Sequence, residues 1–434
     1  METRVPLSFK FINFLGWLFG NNIVGLDADK IIQTAMKKKS FGHDLTKYFT
    51  EDELQSFVKF VPRYINSLKN DENDGVKLST VGRLILNFEV GSLINQRLLV
   101  EFYHKVFYEQ CCQHQIDDPI IIVGLFRTGS TLLQRLLACD KRKIRSPAFS
   151  ETNRPAPILN SDHEVVSSGL EETEQYLKLL GDTIPQFRVI HSMGANEAEE
   201  CMFILRHYFV GWLTFMTFGC IKYKEFLMSE EGKREICNSY AYHKKVLQIL
   251  MNEDQRKGLP STNKRWLLKS PYHIFCPQGI VEQYPRAKLI WLHRDPAESI
   301  PSFASLIASA RPLYLQNYSP ATTGRDVTEG LIYGLNTLEQ FRNGKGQRGT
   351  GEEYLDVYYR DIVQSPIEVV KKIYQFAELG ELDQETEQSM LQYLKDNPKD
   401  KYGSHQYSLE RFSIDESKLR QDLSWYHDKY LPKQ

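Results

Sequence analysis

The chain has 434 residues, of which 41% are hydrophobic and 25% are charged, as is ordinary for a soluble globular protein. This length suffices for one large α/β domain with helical additions, or for two domains. The formal net charge of −1 provides no overall field that would attract nucleic acid or an anionic membrane, so a polyanionic ligand would need a local basic pocket. There is also no basic patch interleaved with aromatic residues, so we expect no nucleic-acid partner.

The cysteines bear on the compartment and on metal binding. There are 7 of them, an odd number, and apart from the adjacent pair Cys111 and Cys112 they are scattered without C-x-x-C spacing. This pattern argues against a disulfide framework and against a structural zinc site. We therefore expect a reducing compartment, the cytoplasm being the simplest, and no metal requirement.

Residues 5–24 contain an apolar, aromatic segment near the start of the chain. With Lys10 and Asn13 inside it, the segment is too short and too polar for a transmembrane span, and no small-residue cleavage site clearly follows. Three interpretations stay open: a helix docked on the protein's own core, an interfacial helix in peripheral contact with a membrane, or a signal anchor. Membrane association is thus the alternative to a purely cytoplasmic location.

Helical patterns fill the first hundred or so residues. Residues 50–53 read Thr-Glu-Asp-Glu, which fits a capping box at a helix start, and residues 81–107 keep apolar positions at helical spacing. Pro119, after two aspartates, ends this region. We predict a helical N-terminal region over residues 1–115 that packs on an α/β domain over residues 116–434.

Short β-branched and apolar runs then alternate with helical patterns. The first predicted strand covers residues 120–123, and its composition is typical of a buried parallel strand. The other predicted strands are 266–268, 289–292 and 355–359, and the predicted helices are 198–213, 240–251, 274–284, 327–341 and 367–376. Alternation of this kind predicts an α/β fold: a P-loop-like three-layer sandwich with a central parallel sheet, carrying helical insertions and the N-terminal helical extension. Ligands of such sheets lie beyond the carboxyl ends of the strands.

The first strand leads into a loop with the spacing of a phosphate-binding loop. Residues 124–131 read GLFRTGST, which matches G-x-x-x-x-G-K-[ST] except that Ser130 replaces the lysine. The glycines permit a tight turn, after which backbone N–H groups at a helix N-terminus face an anion. Ser130 and Thr131 add hydroxyl donors, and Arg127 adds a planar guanidinium that can hold a phosphate or sulfate with two hydrogen bonds.

Loss of the lysine separates the possible functions. In nucleotide triphosphatases that lysine reaches the β- and γ-phosphates and the following Ser or Thr binds magnesium. A donor with a single 5′-phosphosulfate needs the cradle but neither the lysine nor the metal. A P-loop kinase or nucleotide hydrolase, which predicts magnesium-dependent ATP binding, is the alternative, and a protein that binds a nucleotide without catalysis is another.

Two later strand ends carry further cations. Lys269 follows the predicted strand at 266–268, and Arg294 follows the strand at 289–292. Ser302 lies about two turns into the next helix, so Arg294 and Ser302 can meet on one anion. The triplet at 293–295, His-Arg-Asp, is found in kinase catalytic loops, but the glycine-rich loop and the later asparagine of kinases are missing, which excludes that interpretation.

These segments resemble the donor site of sulfotransferases that use 3′-phosphoadenosine 5′-phosphosulfate (PAPS). Residues 124–137, GLFRTGSTLLQRLL, resemble the 5′-phosphosulfate loop, and residues 265–306 resemble the segment that carries the 3′-phosphate site. The sequence is most similar to the soluble bacterial-type branch, and it shares an arginine in the loop with tyrosylprotein sulfotransferases. Further similar segments are HSMGANEAEECMFIL, YYRDIVQSPIEVVKKIY and GSHQYSLERF. The resemblance covers about residues 26 to 428.

The resemblance implies a role for each donor-site residue. The loop residues that would bind the 5′-phosphosulfate, with the residue that follows them, are Arg127, Thr128, Gly129, Ser130, Thr131 and Leu132. Arg294 and Ser302 would bind the 3′-phosphate, and Tyr359 would lie near the adenine. The C-terminal loop with Gly403 and His405 would close over the nucleotide. Phe126 stands where this branch usually has proline, which would alter loop stiffness while leaving the donors in place.

The same resemblance implies an in-line transfer that releases 3′-phosphoadenosine 5′-phosphate (PAP). Arg127 would stabilise the transferred group and Lys269 the bridging oxygen. Glu151, His191 and His273 compete for the role of general base. Glu151 follows the loop, as the glutamate of tyrosylprotein sulfotransferases does. His191 lies in a family-like segment, where Glu200 would orient it, and His273 lies near the position of the histidine in cytosolic enzymes.

The aromatic content bears on the acceptor. Phe, Trp and Tyr make up 12% of the chain, and many lie in the N-terminal region and in residues 202–226. If these helices cover the active site, a small apolar acceptor such as a steroid, terpenoid or phenol would fit. Ordinary helical core is the alternative interpretation of the aromatics, and a carbohydrate or a peptide tyrosine is the alternative acceptor. The sequence does not indicate an oligomeric state.

Overall fold

The structure is a computed structural model of the chain. It describes residues 9–10, 12–13, 24–37, 44–69, 77–183, 193–259, 264–345, 354–398 and 408–431. Three predictions of the sequence fall on other residues: those for His191, for the loop with Gly403 and His405, and for most of the aromatic segment at 5–24. They lie outside the described residues and stay predictions.

A five-stranded parallel sheet forms the centre of the fold. Its strands are β2 (Ile120–Gly124), β3 (Ile144–Arg145), β6 (Arg265–Lys269), β7 (Lys288–His293) and β9 (Tyr354–Tyr358). They lie in the order β3-β6-β2-β7-β9. Antiparallel pairs outside this sheet join β1 (Lys77–Leu78) to β8 (Leu315–Asn317) and β4 (Ile158–Leu159) to β5 (Val165–Ser167). The predicted α/β class with a central parallel sheet is confirmed.

Burial explains why the strands read as continuous apolar runs. In β2 every residue is buried, and alternate side chains enter different cores: Ile121 and Val123 pack on one face of the sheet, Ile120 and Ile122 on the other. Because both faces are covered, β2 has no polar face. The sheet thus brings the carboxyl ends of β2, β6 and β7 to one edge.

Helices surround the sheet and extend it. In chain order they are α1 (Ala28–Lys37), α2 (Glu51–Val58), α3 (Val61–Lys69), α4 (Thr80–Val106), α5 (Tyr108–Cys112), α6 (Ser130–Leu137), α7 (Phe149–Asn153), α8 (Leu170–Thr183), α9 (Met202–Leu205), α10 (Trp212–Phe218), α11 (Ile221–Met228), α12 (Glu230–Arg256), α13 (Pro277–Gln283), α14 (Pro296–Tyr314), α15 (Pro320–Gln340), α16 (Tyr359–Gln364), α17 (Pro366–Phe376), α18 (Gln384–Asp396), α19 (Glu416–Asp422) and α20 (Ser424–Tyr430). Short 3-10 turns cover Leu45–Tyr48, Arg206–Tyr208, Pro271–Phe275 and Glu410–Phe412, and a π turn covers Phe341–Lys345.

The N-terminal helices share a core with the sheet. One hydrophobic cluster contains Leu86 and Ile94 of α4 together with Ile121 and Val123 of β2. Along the chain it extends from Leu26, before α1, to Tyr430 in α20. The capping box predicted at Thr50 is present, since its hydroxyl accepts from the Glu53 N–H and the Glu53 carboxylate accepts from the Thr50 N–H. Among the described residues, no helix is both long enough and apolar enough to cross a membrane.

Two helices predicted as continuous are interrupted. The pattern at 198–213 predicted one helix, but the chain turns at Phe209, whose φ of 58° is left-handed, and α10 starts only at Trp212. The pattern at 274–284 divides at Cys276 into a 3-10 turn and α13, because Pro277 starts the second helix. Apolar spacing continues across both breaks because each piece buries its own apolar face, so the spacing alone does not reveal them; at the second break Pro277 is the signal.

A disulfide corrects the expectation drawn from the cysteines. Cys237 of α12 and Cys276 before α13 are bonded, with their Cα atoms 5.9 Å apart. A glycine permits the approach of the two segments, since a Cβ at Gly279 would lie 2.9 Å from the Cys237 Cα. The bond joins residues 39 positions apart through tertiary packing, so neither spacing nor count could indicate it.

Candidate active site

The loop between β2 and α6 is a tight turn built on left-handed backbone. The φ angles of Gly124, Arg127 and Gly129 are 133°, 64° and 83°. A Cβ at Gly124 would lie 2.6 Å from the Leu292 carbonyl oxygen in β7, so only glycine allows the loop to pack this closely on the sheet. Arg127 has a left-handed backbone conformation, which is strained for a residue other than glycine, and such strain is typical of functional loops.

The N-terminus of α6 opens into a large cavity. Gly129 is the N-cap, and Gly129, Ser130, Thr131 and Leu132 all line the cavity. The first N–H groups of a helix have no partner within it and attract anions. Thr128 differs from its neighbours: its hydroxyl donates to the Leu125 carbonyl at 2.8 Å and its side chain is buried, so it stabilises the turn and does not line the cavity.

The structure brings the predicted cations together beside this turn. The Arg127 Nε donates to the Ser302 Oγ at 3.3 Å, and the Arg294 Nη1 donates to the Arg127 carbonyl at 2.7 Å. The Arg294 guanidinium also lies over the Tyr359 ring, 4.2 Å from its centroid, and all four residues line the cavity. Glu298 accepts from Arg294 at 3.0 and 2.8 Å and itself remains mostly exposed.

An ionic network supports the strand end that carries Arg294. Its neighbour His293 is buried and contacts the Asp356 carboxylate at 2.9 Å, and Arg342 donates to both oxygens of that carboxylate at 2.6 and 2.8 Å. Burial alone would raise the pKa of Asp356, but the hydrogen bonds from His293 and Arg342 outweigh it and lower the pKa to about 2. An ionised Asp356 therefore ties β9 to β7 just below the site.

Phe126, the departure from the family's usual proline, has a structural role. Its ring stacks on Phe303 of α14 with centroids 3.6 Å apart, and it meets Tyr272 edge-on at 5.5 Å. These contacts hold the loop against α14, since Phe303 directly follows Ser302 in that helix.

Lys269 lies beneath the α6 N-terminus, fully buried. Its Nζ donates to the Glu200 Oε1 at 2.7 Å and to the Thr131 Oγ1 at 3.3 Å, and the Glu199 Oε1 lies 4.0 Å away. Lys269 is not among the residues that line the cavity, whereas Glu200 and Thr131 are. The lysine thus places a positive charge directly behind the first turn of α6 and holds a carboxylate at the cavity wall.

Glu151 does not reach the cavity. Arg145 donates to its two oxygens at 2.8 and 2.6 Å, and the carboxylate also accepts from the Ala148 N–H. Burial would raise the pKa of Glu151, but Arg145 outweighs that effect and lowers it. A carboxylate held in this way is a structural ion-pair partner and a poor proton acceptor.

His273 is also enclosed in protein. Its side chain is fully buried, its Nδ1 lies 2.7 Å from the Tyr240 hydroxyl, and it is not among the cavity residues, although Tyr240 is. Burial holds the pKa of His273 well below its usual value. The structure therefore does not bring Glu151 or His273 to the loop at residues 124–131, which we call the donor loop after its hydrogen-bond donors. His191 stays a prediction.

Glu200 is the acidic group that sequence reasoning did not select as a base. It was assigned only an orienting role toward His191. Its position depends on a tertiary contact: the Cys201 N–H donates to the Lys269 carbonyl at 2.9 Å, which fixes the segment to the end of β6. The sequence signal that could have indicated Glu200 was a lysine at a strand end, Lys269, together with the adjacent pair Glu199 and Glu200.

The cavity beyond the loop has a volume of about 1390 Å³, and most of its lining is apolar. Helices α4, α8, α9, α10 and α14 supply the walls. Their aromatic lining includes Phe203 of α9, Phe209 in the turn that follows, and Trp212 and Phe218 of α10. The N-terminal region and residues 202–226 therefore do cover the site. Among the residues that the structure describes, no group of three or more His, Cys, Asp or Glu side chains is arranged to hold a metal.

Comparison with known proteins gives consistent results. The model of the sulfotransferase family matches residues 119–384. The omega-hydroxy-beta-dihydromenaquinone-9 sulfotransferase Stf3 from Mycobacterium bovis is 24% identical over 324 residues, which are 73% of this chain and 77% of the relative, and the same protein from Mycobacterium tuberculosis matches equally.

Two solved structures share the fold. Sulfotransferase STF9 from Mycobacterium avium superposes with a TM-score of 0.75 and 21% identity, covering 95% of this chain and 98% of that chain. Sulfotransferase STF1 from Mycobacterium tuberculosis has a TM-score of 0.70 and 23% identity, covering 92% and 98%.

Proposed function

The chain belongs to the sulfotransferase family, and from that premise we propose that it moves a sulfuryl group from PAPS to a hydroxyl or amine of a small apolar acceptor. The observation that carries the proposal is an anion cradle that opens directly into an apolar cavity. At their junction lies Glu200, a carboxylate paired with the buried Lys269.

The described residues fit the two anionic ends of PAPS. The α6 N-terminus, with Ser130, Thr131 and Arg127, offers N–H, hydroxyl and guanidinium donors to a 5′-phosphosulfate. Arg294 and Ser302 would hold the 3′-phosphate, and Tyr359, which already packs against Arg294, would contact the adenine. No metal enters the proposed chemistry, because these donors supply the positive charge.

We assign the proton transfer to Glu200. In the reaction the acceptor oxygen forms a bond to sulfur, the bond between sulfur and the bridging oxygen breaks, and PAP leaves. The acceptor's proton passes to the Glu200 carboxylate, which lies at the cavity wall. Lys269, behind Thr131, stabilises the negative charge that grows on the leaving group, and Arg127 stabilises the transferred group.

The lining supports an apolar acceptor such as a steroid, terpenoid or phenol. The cavity is enclosed by aromatic and aliphatic side chains of α4, α10 and α14, and such enclosure favours binding through burial of apolar surface. The Stf3 relative is named for a menaquinone derivative, another largely apolar small molecule. A carbohydrate would leave its many hydroxyls without partners along these walls.

The compartment also stays a proposal. The cytoplasmic location and the peripheral membrane contact of residues 5–24 were predicted from the sequence. The Cys237–Cys276 disulfide argues for an oxidising compartment instead, since such bonds are rare in the reducing cytosol.

Transfer of radiolabel from PAPS tests the proposed function. We expect label on members of a panel of steroids, terpenoids and phenols, in the presence of a chelator, and none on glycans of the same concentration. Label on glycans alone would contradict the apolar acceptor. No transfer to any acceptor, with ATP hydrolysed in the presence of magnesium, would contradict sulfuryl transfer itself.

A further inference from the structure

One face of α14 forms a continuous wall of the cavity, from the donor loop to its far end. The face begins at Ser302, which contacts Arg127, and ends at Tyr314. The cavity-lining residues between them recur at helical spacing and are all apolar: Phe303, Leu306, Ile307, Ala310 and Leu313. An acceptor that lies along α14 therefore meets only apolar side chains of this helix between its two ends.

The far end of this wall is polar. The Tyr314 hydroxyl lies 3.3 Å from both oxygens of Glu89, which projects from α4, and the Arg206 Nη2 lies 3.9 Å from the same carboxylate. Both charged side chains line the cavity and keep 29% (Arg206) and 26% (Glu89) of their surface accessible. We call Glu89, Arg206 and Tyr314 the distal cluster.

The position of this cluster is unusual for a structural ion pair. Burying charges beside an apolar cavity is costly unless they are paired and hydrogen-bonded. The separation of 3.9 Å exceeds hydrogen-bond length, so the two charges attract each other without sharing a hydrogen bond. A hydroxyl beside the pair could accept from the guanidinium and donate to the carboxylate.

The geometry defines the length and the chemistry of a ligand. Ser302 and Tyr314 are twelve residues apart on one helix, which at 1.5 Å per residue separates the donor loop from the distal cluster by about 18 Å. Glu89 and Arg206 have opposite charges, so the pair offers no net attraction to a carboxylate or to an ammonium. A neutral hydroxyl, which both donates and accepts, matches it.

We propose that the acceptor is an elongated apolar molecule with a second hydroxyl at the end remote from the sulfated group, and that Glu89, Arg206 and Tyr314 bind this distal hydroxyl. The inference rests on the proposed function and deepens it by adding a length and a second polar group to the acceptor. It also defines the orientation of the bound acceptor: the hydroxyl that is sulfated lies at the donor loop, and the second hydroxyl lies at the distal cluster.

Straight-chain diols with a hydroxyl at each end, compared with mono-alcohols of the same chain length, provide the test. Calorimetric titration of the PAP complex measures binding, and label transfer from PAPS measures kcat/KM for each compound. At the best chain length we expect the diol to bind about tenfold more tightly than the mono-alcohol, because it adds a hydrogen bond to charged groups. The kcat/KM ratio should follow the same preference.

Variants then assign the preference to the cluster. Replacing both charges together, Glu89→Leu with Arg206→Leu, avoids leaving one charge buried alone and should reduce the diol preference from about tenfold to none, while transfer to the mono-alcohol persists. Tyr314→Phe should reduce it in part. Tyr374→Phe is the matched control, since its hydroxyl donates to the Asp140 carboxylate at 2.6 Å in a core outside this cavity; it should leave the preference unchanged.

The outcomes separate this inference from the proposed function. A mono-alcohol that is sulfated as well as the diol at every chain length, or a diol preference that survives the double leucine variant, would overturn the distal site and leave sulfuryl transfer standing. A protein that binds PAP but transfers label to neither class, nor to the steroid and phenol panel, would overturn both.

Discussion

Replacing Glu200 with glutamine is expected to lower kcat about a thousandfold, within the range that a positioned general base contributes. The change keeps the size and most of the hydrogen bonding of the side chain but removes its ability to accept a proton. Affinity for PAP should stay within a few-fold of wild type, because Glu200 contributes no donor to the cradle. Steady-state kinetics with a steroid or alcohol acceptor, together with PAP titration, measures the two effects.

Two controls make this result specific to proton transfer. A phenol acidic enough to be ionised at the assay pH needs no base, so the variant should retain far more of its activity on that acceptor. Glu199→Gln makes the same change one residue away, on a buried carboxylate that does not line the cavity; it should cost less than tenfold. Equal losses on both acceptors, or equal losses in both variants, would show that Glu200 is structural and that the base lies elsewhere.

Lys269→Ala should lower kcat by about a hundredfold to a thousandfold, the usual effect of removing one preorganised electrostatic contact to a developing charge. The reason is its position: the ammonium lies behind Thr131 at the cradle and pairs with Glu200. Since the buried Glu200 carboxylate would then lose its counter-charge, the variant will also be less stable. Thermal unfolding must therefore accompany the kinetics.

The double variant Lys269→Met with Glu200→Gln removes both charges of this pair, so it should recover part of the stability without recovering activity, while the buried Glu199 carboxylate remains. Lys245→Met is a control away from the cavity: Lys245 is partly exposed and pairs with the buried Glu101, which also pairs with Arg97. It should change stability but leave kcat nearly intact. An active double variant would mean that neither charge takes part in the reaction.

The donor loop could be predicted from the sequence because its chemistry is local. A strand, two glycines, an arginine and two hydroxyls lie within a dozen residues, and each has a meaning that follows from spacing alone. The parallel sheet was equally accessible, since a strand such as β2 that is buried on both faces must read as an apolar run. The proximity of Arg294 and Ser302 could also be predicted, because both residues belong to one strand-helix unit.

The proposed base and the proposed acceptor end of the site depend on long-range packing. Glu200 reaches the cavity only because its segment is tied to β6, and Glu151 fails to reach it because Arg145 holds it. The distal cluster joins Glu89 of α4, Arg206 in the 3-10 turn that follows α9 and Tyr314 of α14. Each of these residues is more than a hundred positions from the next along the chain. The sequence pattern shows such charges only as polar positions on amphipathic helices, so their meeting could not be foreseen.

Titration of the purified protein with PAP, and separately with ATP and magnesium, tests most directly the claim that this site binds a sulfuryl donor. By calorimetry we expect PAP to bind in the micromolar range with a chelator present, and Arg294→Ala to weaken it by more than about a hundredfold. Arg142→Ala, on an exposed arginine that pairs with Asp383, should leave PAP binding unchanged. Binding of ATP with magnesium in place of PAP would contradict the account and identify the loop as that of a divergent kinase.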